Sequence, residues 1–294
     1  MQELLRITLS FDGRDADSHR IEFYDVAQAL IGFQRSLALT THLVINDQII
    51  TQAPALKGAR IFAAPPDAGS WKMTAVVSMI ATGIYQLGTV PKDTVLGHIL
   101  FSVYDYVVSE TLGVPVDFNK SLGQLYKEAK AQKLDVPRIS ESQADSLVEK
   151  CSTAIREMHR PIYKTATAAR GTLEGTLVGK SLPVRRSLSM ETYEYMQETF
   201  VENMPIEVVG RVSSYNSNTF KGRLFAFTEG RPVSFELSKA ARSRKSLDLV
   251  TSSLRAHALK DRSGQGLITF RALRATSRSG HLKSYVVLEV LSGD

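Results

Sequence analysis

The run from Met73 to Pro91 contains no charged side chain, although Lys72 and Lys92 bracket it closely. A stretch of this kind leaves a chain two outcomes, a lipid bilayer or the core of a folded domain. As one helix, residues 73–90 would reach ~27 Å, just short of a hydrocarbon layer of ~30 Å. With the apolar run 94–109 it would form a membrane hairpin turning at Pro91-Lys92-Asp93. Gly83 and Gly88 would permit close helix contact, and Ile80, Ile84 and Leu87 would supply the apolar surface. Gln86, His98 and Asp105 would then need to face a pore or a neighbouring subunit. In a soluble core, WKMTAVV would instead be a sheet strand and SMIATGIYQLGTV a short buried helix. The slightly negative mean hydropathy of the chain selects neither outcome. Both stay open at this level.

The segments on either side define an α+β chain. Residues 3–11, ELLRITLSF, alternate like a half-buried strand, and SHRIEFY repeats the alternation after an acidic loop. Asp25 suits a helix N-cap, followed by apolar positions at Val26, Leu30, Phe33, Leu37 and Val44. LKGARIFAAPPDAGSWKMTAVV reads as two further strands about a Pro-Pro-Asp-Ala-Gly turn. Beyond Ser78 the pattern turns helical, with apolar helices expected over 78–90 and 94–112. More polar helices are expected near 119–133 and 140–160, the latter opening with the capping-box spacing Ser140-x-x-Gln143. Residues 161–204 read as a connector with some strand and a short helix at METYEYMQETF. The expected segments are thus an N-terminal α+β unit (1–72), an apolar helical segment (73–112), a helical region with connector (113–204) and a small β-barrel (205–294).

That last segment changes character. IEVVGRVSSYN, TFKGRLFAFTE, RPVSFELS, LRAHALKD, GLITFRALRATS and HLKSYVVLEVL are six short β-like segments, interrupted by KAARSRKSLDLVTSS as one or two helical turns. Such a series predicts a small barrel, OB-like or SH3-like. It also holds the charge excess. Residues 205–294 carry 15 Lys/Arg and 7 Asp/Glu, a balance of +8, whereas residues 1–204 balance at −2. An acidic partner, such as nucleic acid or an anionic surface, suits that asymmetry. Lys221 and Arg223, two apart in a strand, should share a face. Arg271, Arg274 and Arg278 recur along another strand, Lys283 lies on the last, and Arg242, Arg244 and Lys245 cluster in the insertion. Tyr215 and Phe220 lie near strand ends, where a ring can stack on a base. A single-stranded oligonucleotide or nucleotide-derived ligand is the partner this combination fits, with a solvated basic face as the alternative.

Motifs for chemistry are absent at the local level. GTLVGKS lacks the glycine that a phosphate loop requires five residues before its Gly-Lys pair, since Glu174 stands there. It reads as a glycine-rich turn. The aspartates of DGRDADSH miss the calcium-loop spacing and read as a solvated hairpin loop. The 6 histidines are scattered, and the single cysteine, Cys151, lies in the 140–160 helix as a buried structural thiol, in a chain suited to a reducing compartment. No metal, cofactor or catalytic group is expected, and the chain reads as a non-enzyme. Its alternating, soon acidic start has no secretory h-region, which predicts a cytosolic beginning.

The order of FDGRDADSHRIEFYDVAQALIGFQRSL, the PPDAGSW turn, apolar helices and a basic barrel with GRVSSYNSNTFKGRLFAF resembles bacterial proteins of mobile and defence loci. Within that group it is most similar to the membrane effectors of Hailong-type antiphage systems. The resemblance lies in architecture over most of the chain and rests on no short motif. It implies a homo-oligomeric, channel-forming effector of the bacterial inner membrane. Such effectors stand beside a nucleotidyltransferase whose DNA oligomers hold the channel closed until infection, and opening arrests or kills the cell. A soluble nucleic-acid-binding accessory protein of a phage or mobile element, located in the cytoplasm, is the alternative.

Overall fold

The computed structural model describes residues 2–50, 52–64, 71–80, 95–131, 136–177, 180–197, 199–259, 266–277, 280 and 282–293. They divide into two compact units, Met1–Met196 and Gln197–Asp294, each with its own apolar core.

In the first unit, β1 (Gln2–Asp12) buries Leu5, Ile7, Leu9 and Phe11 and turns Arg6, Thr8 and Ser10 to the other face. The period of two read from the sequence is therefore a real sheet face. A 3-10 turn, Arg14–Ser18, follows where a hairpin loop was expected, with the Gly13 N–H donating to Asp17 Oδ1 at 2.7 Å. No strand forms over 18–24. The Glu22 carboxylate instead accepts the Asp25 N–H at 2.8 Å and starts α1 (Phe23–Asn46) two residues before Asp25. Asp25 is thus no N-cap. It lies buried in the first turn, and its Oδ1 accepts from Arg160 Nε at 2.9 Å. Local capping has overridden the strand-like alternation of SHRIEFY.

β2 (Ala59–Ala63) and β3 (Trp71–Met79) form the expected pair. Residues 73–79 of the uncharged run are therefore strand, not helix, and β3 extends past the Ser78 boundary. Ile80 ends it, its N–H donating to the Gly58 carbonyl at 3.0 Å. The expected turn at 65–70 and the remainder of the run, with Ile84, Gln86 and Leu87, lie outside the described residues. The chain resumes in α2 (Val95–Thr111), α3 (Phe118–Ala131), α4 (Glu141–Glu157) and the short α5 (Arg160–Tyr163). α4 opens with the Ser140/Gln143 capping box read from the sequence. β4 (Arg170–Leu177) then returns beside β1, and β5 (Lys180–Pro183) pairs with it. The sheet is antiparallel throughout, in the order β2-β3-β1-β4-β5. Within GTLVGKS, Leu177 of β4 stands opposite Lys180 of β5, and the expected turn at Val178-Gly179 lies outside the described residues.

Two glycines set the packing distances. A Cβ on Gly175 would lie 2.5 Å from the Phe101 ring of α2, so the helix presses onto the sheet where no side chain stands. A Cβ on Gly32 of α1 would meet the Ala154 carbonyl oxygen of α4 at 2.2 Å. α1, α2 and α4 therefore belong to one buried layer. Asp105 shows what α2 does with its charge. Its carboxylate is 8% exposed and takes three donors, Ser109 Oγ at 3.1 Å, the Arg185 N–H at 3.0 Å and Arg185 Nε at 3.0 Å. The position read as pore-facing is an internal tie between α2 and the segment after β5. His98 is half-buried on the same helix. Among the described residues no helix is long and apolar enough to cross a membrane. The four expected segments reduce to two units because β4 and α2 join the N-terminal core.

α6 (Met190–Gln197) fulfils the expected short helix. The second unit contains β6 (Phe200–Val201), β7 (Ile206–Asn216), β8 (Lys221–Ala226), β9 (Arg231–Leu237), α7 (Arg244–Ala258), β10 (Ile268–Thr276) and β11 (Leu282–Ser292). Strands β7-β8-β9-β11-β10 close on β7 as a five-stranded mixed barrel, parallel only at β9–β11, and β6 adds to β10. LRAHALKD, read as β-like, belongs to helix through Ala258. Ser243 caps that helix by accepting the Ser246 N–H, and Leu247, Val250 and Leu254 turn to the barrel at helical spacing.

Candidate nucleic-acid interface

The barrel wall is built by alternation on β8. Leu224 and Ala226 fill the interior, which turns Lys221, Arg223 and Phe225 outward. Across the ladder Phe225 stands opposite Arg211 on β7 and Pro232 on β9, and Lys221 opposite Asn216 and Glu236. Phe227 continues the row, its N–H donating to the Val209 carbonyl at 3.1 Å. The two rings meet edge to face at 6.2 Å, are 37% and 50% exposed, and lie beside the exposed Val209. An apolar, aromatic surface thus adjoins the half-buried Arg211 on the outside of β7 and β8.

The aromatic positions expected to stack are otherwise engaged. Tyr215 lies opposite Gly222, an inward position, and stacks on the core ring of Phe235 at 6.3 Å and 9°. Burial raises its pKa against the opposing charge of Arg242. Phe220 packs on the same core and carries the Arg242 guanidinium 4.2 Å above its ring. The two rings expected at the surface therefore pack against the barrel core. The signal for Phe225 and Phe227 was present, since 221, 223, 225 and 227 continue one period of two.

The cations separate into three situations. Arg242 is structural, donating from Nε to the Leu237 carbonyl at 3.0 Å with Glu236 at 3.8 Å. Arg271 lies 3.9 Å from Glu289 and across from Glu207, and Arg274 lies 3.7 Å from Glu202. Lys283 donates to Thr199 Oγ1 at 2.8 Å, and burial lowers its pKa. Arg223 is on the expected face with Lys221 but only 5% exposed. Arg244 and Lys245 are exposed on the first turn of α7. Their charges add to the positive end of the helix macrodipole, so this turn concentrates positive potential. The structure brings Lys221 and Arg242 together around Glu236, with Arg244 and Lys245 following in the chain. Arg271 and Arg274 are spread along β10 and Lys283 lies on β11, away from that cluster, and Arg278 lies outside the described residues.

The first unit offers buried polar groups of another kind. His159 is fully buried between the Ile155 carbonyl (2.9 Å from Nδ1) and Thr192 Oγ1 (3.0 Å from Nε2), and burial pushes its pKa down to about 4. The Cys151 thiol is buried, as expected, and pushed up to about 12. Among the described residues no group of three or more His, Cys, Asp or Glu side chains converges as a metal site.

Fold and surface define a two-unit α+β protein with a basic, aromatic-faced barrel at its C-terminal end. The chain belongs to the family of domains of unknown function DUF7946, which residues 7–177 match. Residues 204–291 match a second family of unknown function, DUF7947. The two matched regions fall within the two structural units. No curated protein and no solved structure matches the chain.

Proposed function

We propose that the C-terminal unit is an OB-type barrel that binds single-stranded nucleic acid, a DNA oligonucleotide or nucleotide-derived ligand, and that the protein acts through this binding rather than by catalysis. One observation carries the reading. The strand order β7-β8-β9-β11-β10, with α7 between β9 and β10 in the chain, presents exposed Phe225 on β8 and exposed Phe227 in the turn directly after it. In barrels of this order the second and third strands form the ligand face. Rings that stack on bases beside cations that track the phosphates are the usual means of holding a single strand without reading its sequence. The balance of +8 over residues 205–294 supports an anionic ligand. An oligonucleotide-gated membrane effector would use such a barrel as its sensor. Of the hairpin expected over residues 73–109, Met73–Met79 is strand, α2 packs in the first unit's core, and residues 81–94 lie outside the described residues, so the proposal is ligand binding by the barrel.

Anisotropy of a short labelled oligodeoxythymidylate, titrated with the full chain at several salt concentrations, tests it. Base stacking is worth about 1–3 kcal/mol per base, so Phe225→Ala with Phe227→Ala should weaken binding about 10-fold or more. Arg244→Ala with Lys245→Ala should reduce the salt slope by about 1.4, two phosphate contacts at ~0.7 each. Arg242 is left intact because it also holds the Leu237 carbonyl. Unchanged affinity in the double Phe variant would overturn the assignment of the face.

A further inference from the structure

A cavity of about 290 Å³ opens beside α3, lined by Tyr126, Lys127, Lys130 and Arg138. Among the described lining residues three are cationic and none is a carboxylate. Lys127 and Lys130 are three apart on α3 and so share a face. Arg138 comes from the segment before α4, and one hydrogen bond fixes its approach. The Ile139 N–H donates to Tyr126 Oη at 3.0 Å, and Ile139 itself is buried. The Ser140/Gln143 capping box holds the next residues, with Gln143 Nε2 donating to Asp47 Oδ1 at 2.8 Å. The wall that carries Arg138 is therefore pinned on both sides before any ligand arrives.

Packing does not account for this arrangement. All three cationic side chains are exposed, and none forms an ion pair with a described residue, whereas Arg6, Arg160, Arg170, Arg185 and Arg186 of the same unit all do. Like charges held together around a void repel one another, and that cost is offset when an anion enters. The chemistry of the donors specifies the anion. A guanidinium fork and two ammonium groups supply more donors than one carboxylate can accept, and they match a phosphate dianion with its three terminal oxygens. The Tyr126 ring, with its hydroxyl already engaged, adds a flat apolar surface. Burial raises the Tyr126 pKa, which keeps the phenol neutral, and Arg138 and Asp47 act on it with opposing charge. The volume lies at the small end of ligand pockets, the size of one phosphorylated small molecule.

We propose that this cavity is a binding site for a small phosphate monoester, of the size of a mononucleotide, held by Lys127, Lys130 and Arg138 with Tyr126 beside its apolar part. The site is in the DUF7946 region and is independent of the barrel.

Calorimetric titration of the full chain with dAMP, and with deoxyadenosine as the phosphate-free control, tests it. Saturable one-to-one binding of dAMP is expected, with none of deoxyadenosine. Arg138→Ala, and separately Lys127→Ala with Lys130→Ala, should each weaken it about 10-fold or more, while Lys164→Ala, an exposed lysine of the same unit, should not. Phe225→Ala with Phe227→Ala should leave it unchanged, which separates this site from the barrel. Tryptophan fluorescence confirms that the first-unit variants are folded, since the only Trp, Trp71, packs on Phe11 in that unit, and circular dichroism does so for the Phe variant of the barrel. Absent binding of dAMP, equal binding of deoxyadenosine, or full affinity in the Arg138 variant would each overturn the proposal.

Discussion

Replacing Asp105 is the perturbation that best separates a core carboxylate from a pore-lining one. Its carboxylate is 8% exposed and accepts from Ser109, from the Arg185 N–H and from Arg185 Nε, at 3.0–3.1 Å. Asp105→Ala removes all three bonds. Hydrogen bonds to a charged group contribute about 1.5–3 kcal/mol, and breaking a fully buried pair costs about 3–5 kcal/mol. The Arg185 side chain is 47% exposed, so water recovers part of that loss, and we expect a cost of about 2–4 kcal/mol. Arg185→Ala should cost less, about 1 kcal/mol, because its guanidinium is half in solvent while the backbone bond to Asp105 survives. The assay is urea unfolding followed by the fluorescence of Trp71, which reports the first unit alone. In the double-mutant cycle a coupling of about 1 kcal/mol is expected between the two side chains. Asp105→Ala within about 0.5 kcal/mol of wild type would refute the reasoning, since that is the range of a surface substitution.

Two further outcomes follow from the first unit's buried groups. His159 takes up a proton near pH 6.5 when unfolded but only near pH 4 when folded, because burial disfavours its charged form. Stability measured by Trp71 fluorescence should therefore fall as pH drops through that window, by about 3 kcal/mol, and His159→Gln should flatten the decline. His42, whose pKa burial and Lys57 lower, contributes with the same sign. Cys151 should resist a thiol reagent in native buffer and react at the rate of unfolding when urea is added, since its thiol is buried and pushed up to about 12. Rapid labelling of the native protein would contradict that burial.

Much of this architecture is written in short-range pattern. The alternation of Leu5, Ile7, Leu9 and Phe11 determined a sheet face, and Ser140 with Gln143 determined where α4 begins, because both depend on residues a few positions apart. The strand series after Pro205 determined a small barrel, and composition alone located its positive charge. Other features depended on residues distant in sequence. SHRIEFY alternates like a strand, but the Glu22 carboxylate was positioned to cap α1, and so short an alternation cannot compete with a 24-residue helix docked on a core. Met73–Met79 is as apolar as a bilayer span, and its fate was decided by β1 and β2, which offered hydrogen-bonding edges on both sides. Asp105 reads as an interruption until Arg185, 80 residues later, is brought to it. The basic residues show the same division. Their types followed from the sequence, but which were bonded to the barrel, which faced acidic neighbours and which stood exposed followed from the pairing of strands. The cavity at Tyr126 had no sequence signal, because Arg138 reaches it only through the bond between Ile139 and the Tyr126 hydroxyl. Local periodicity encodes the direction in which a side chain points, and only tertiary pairing decides what it meets there.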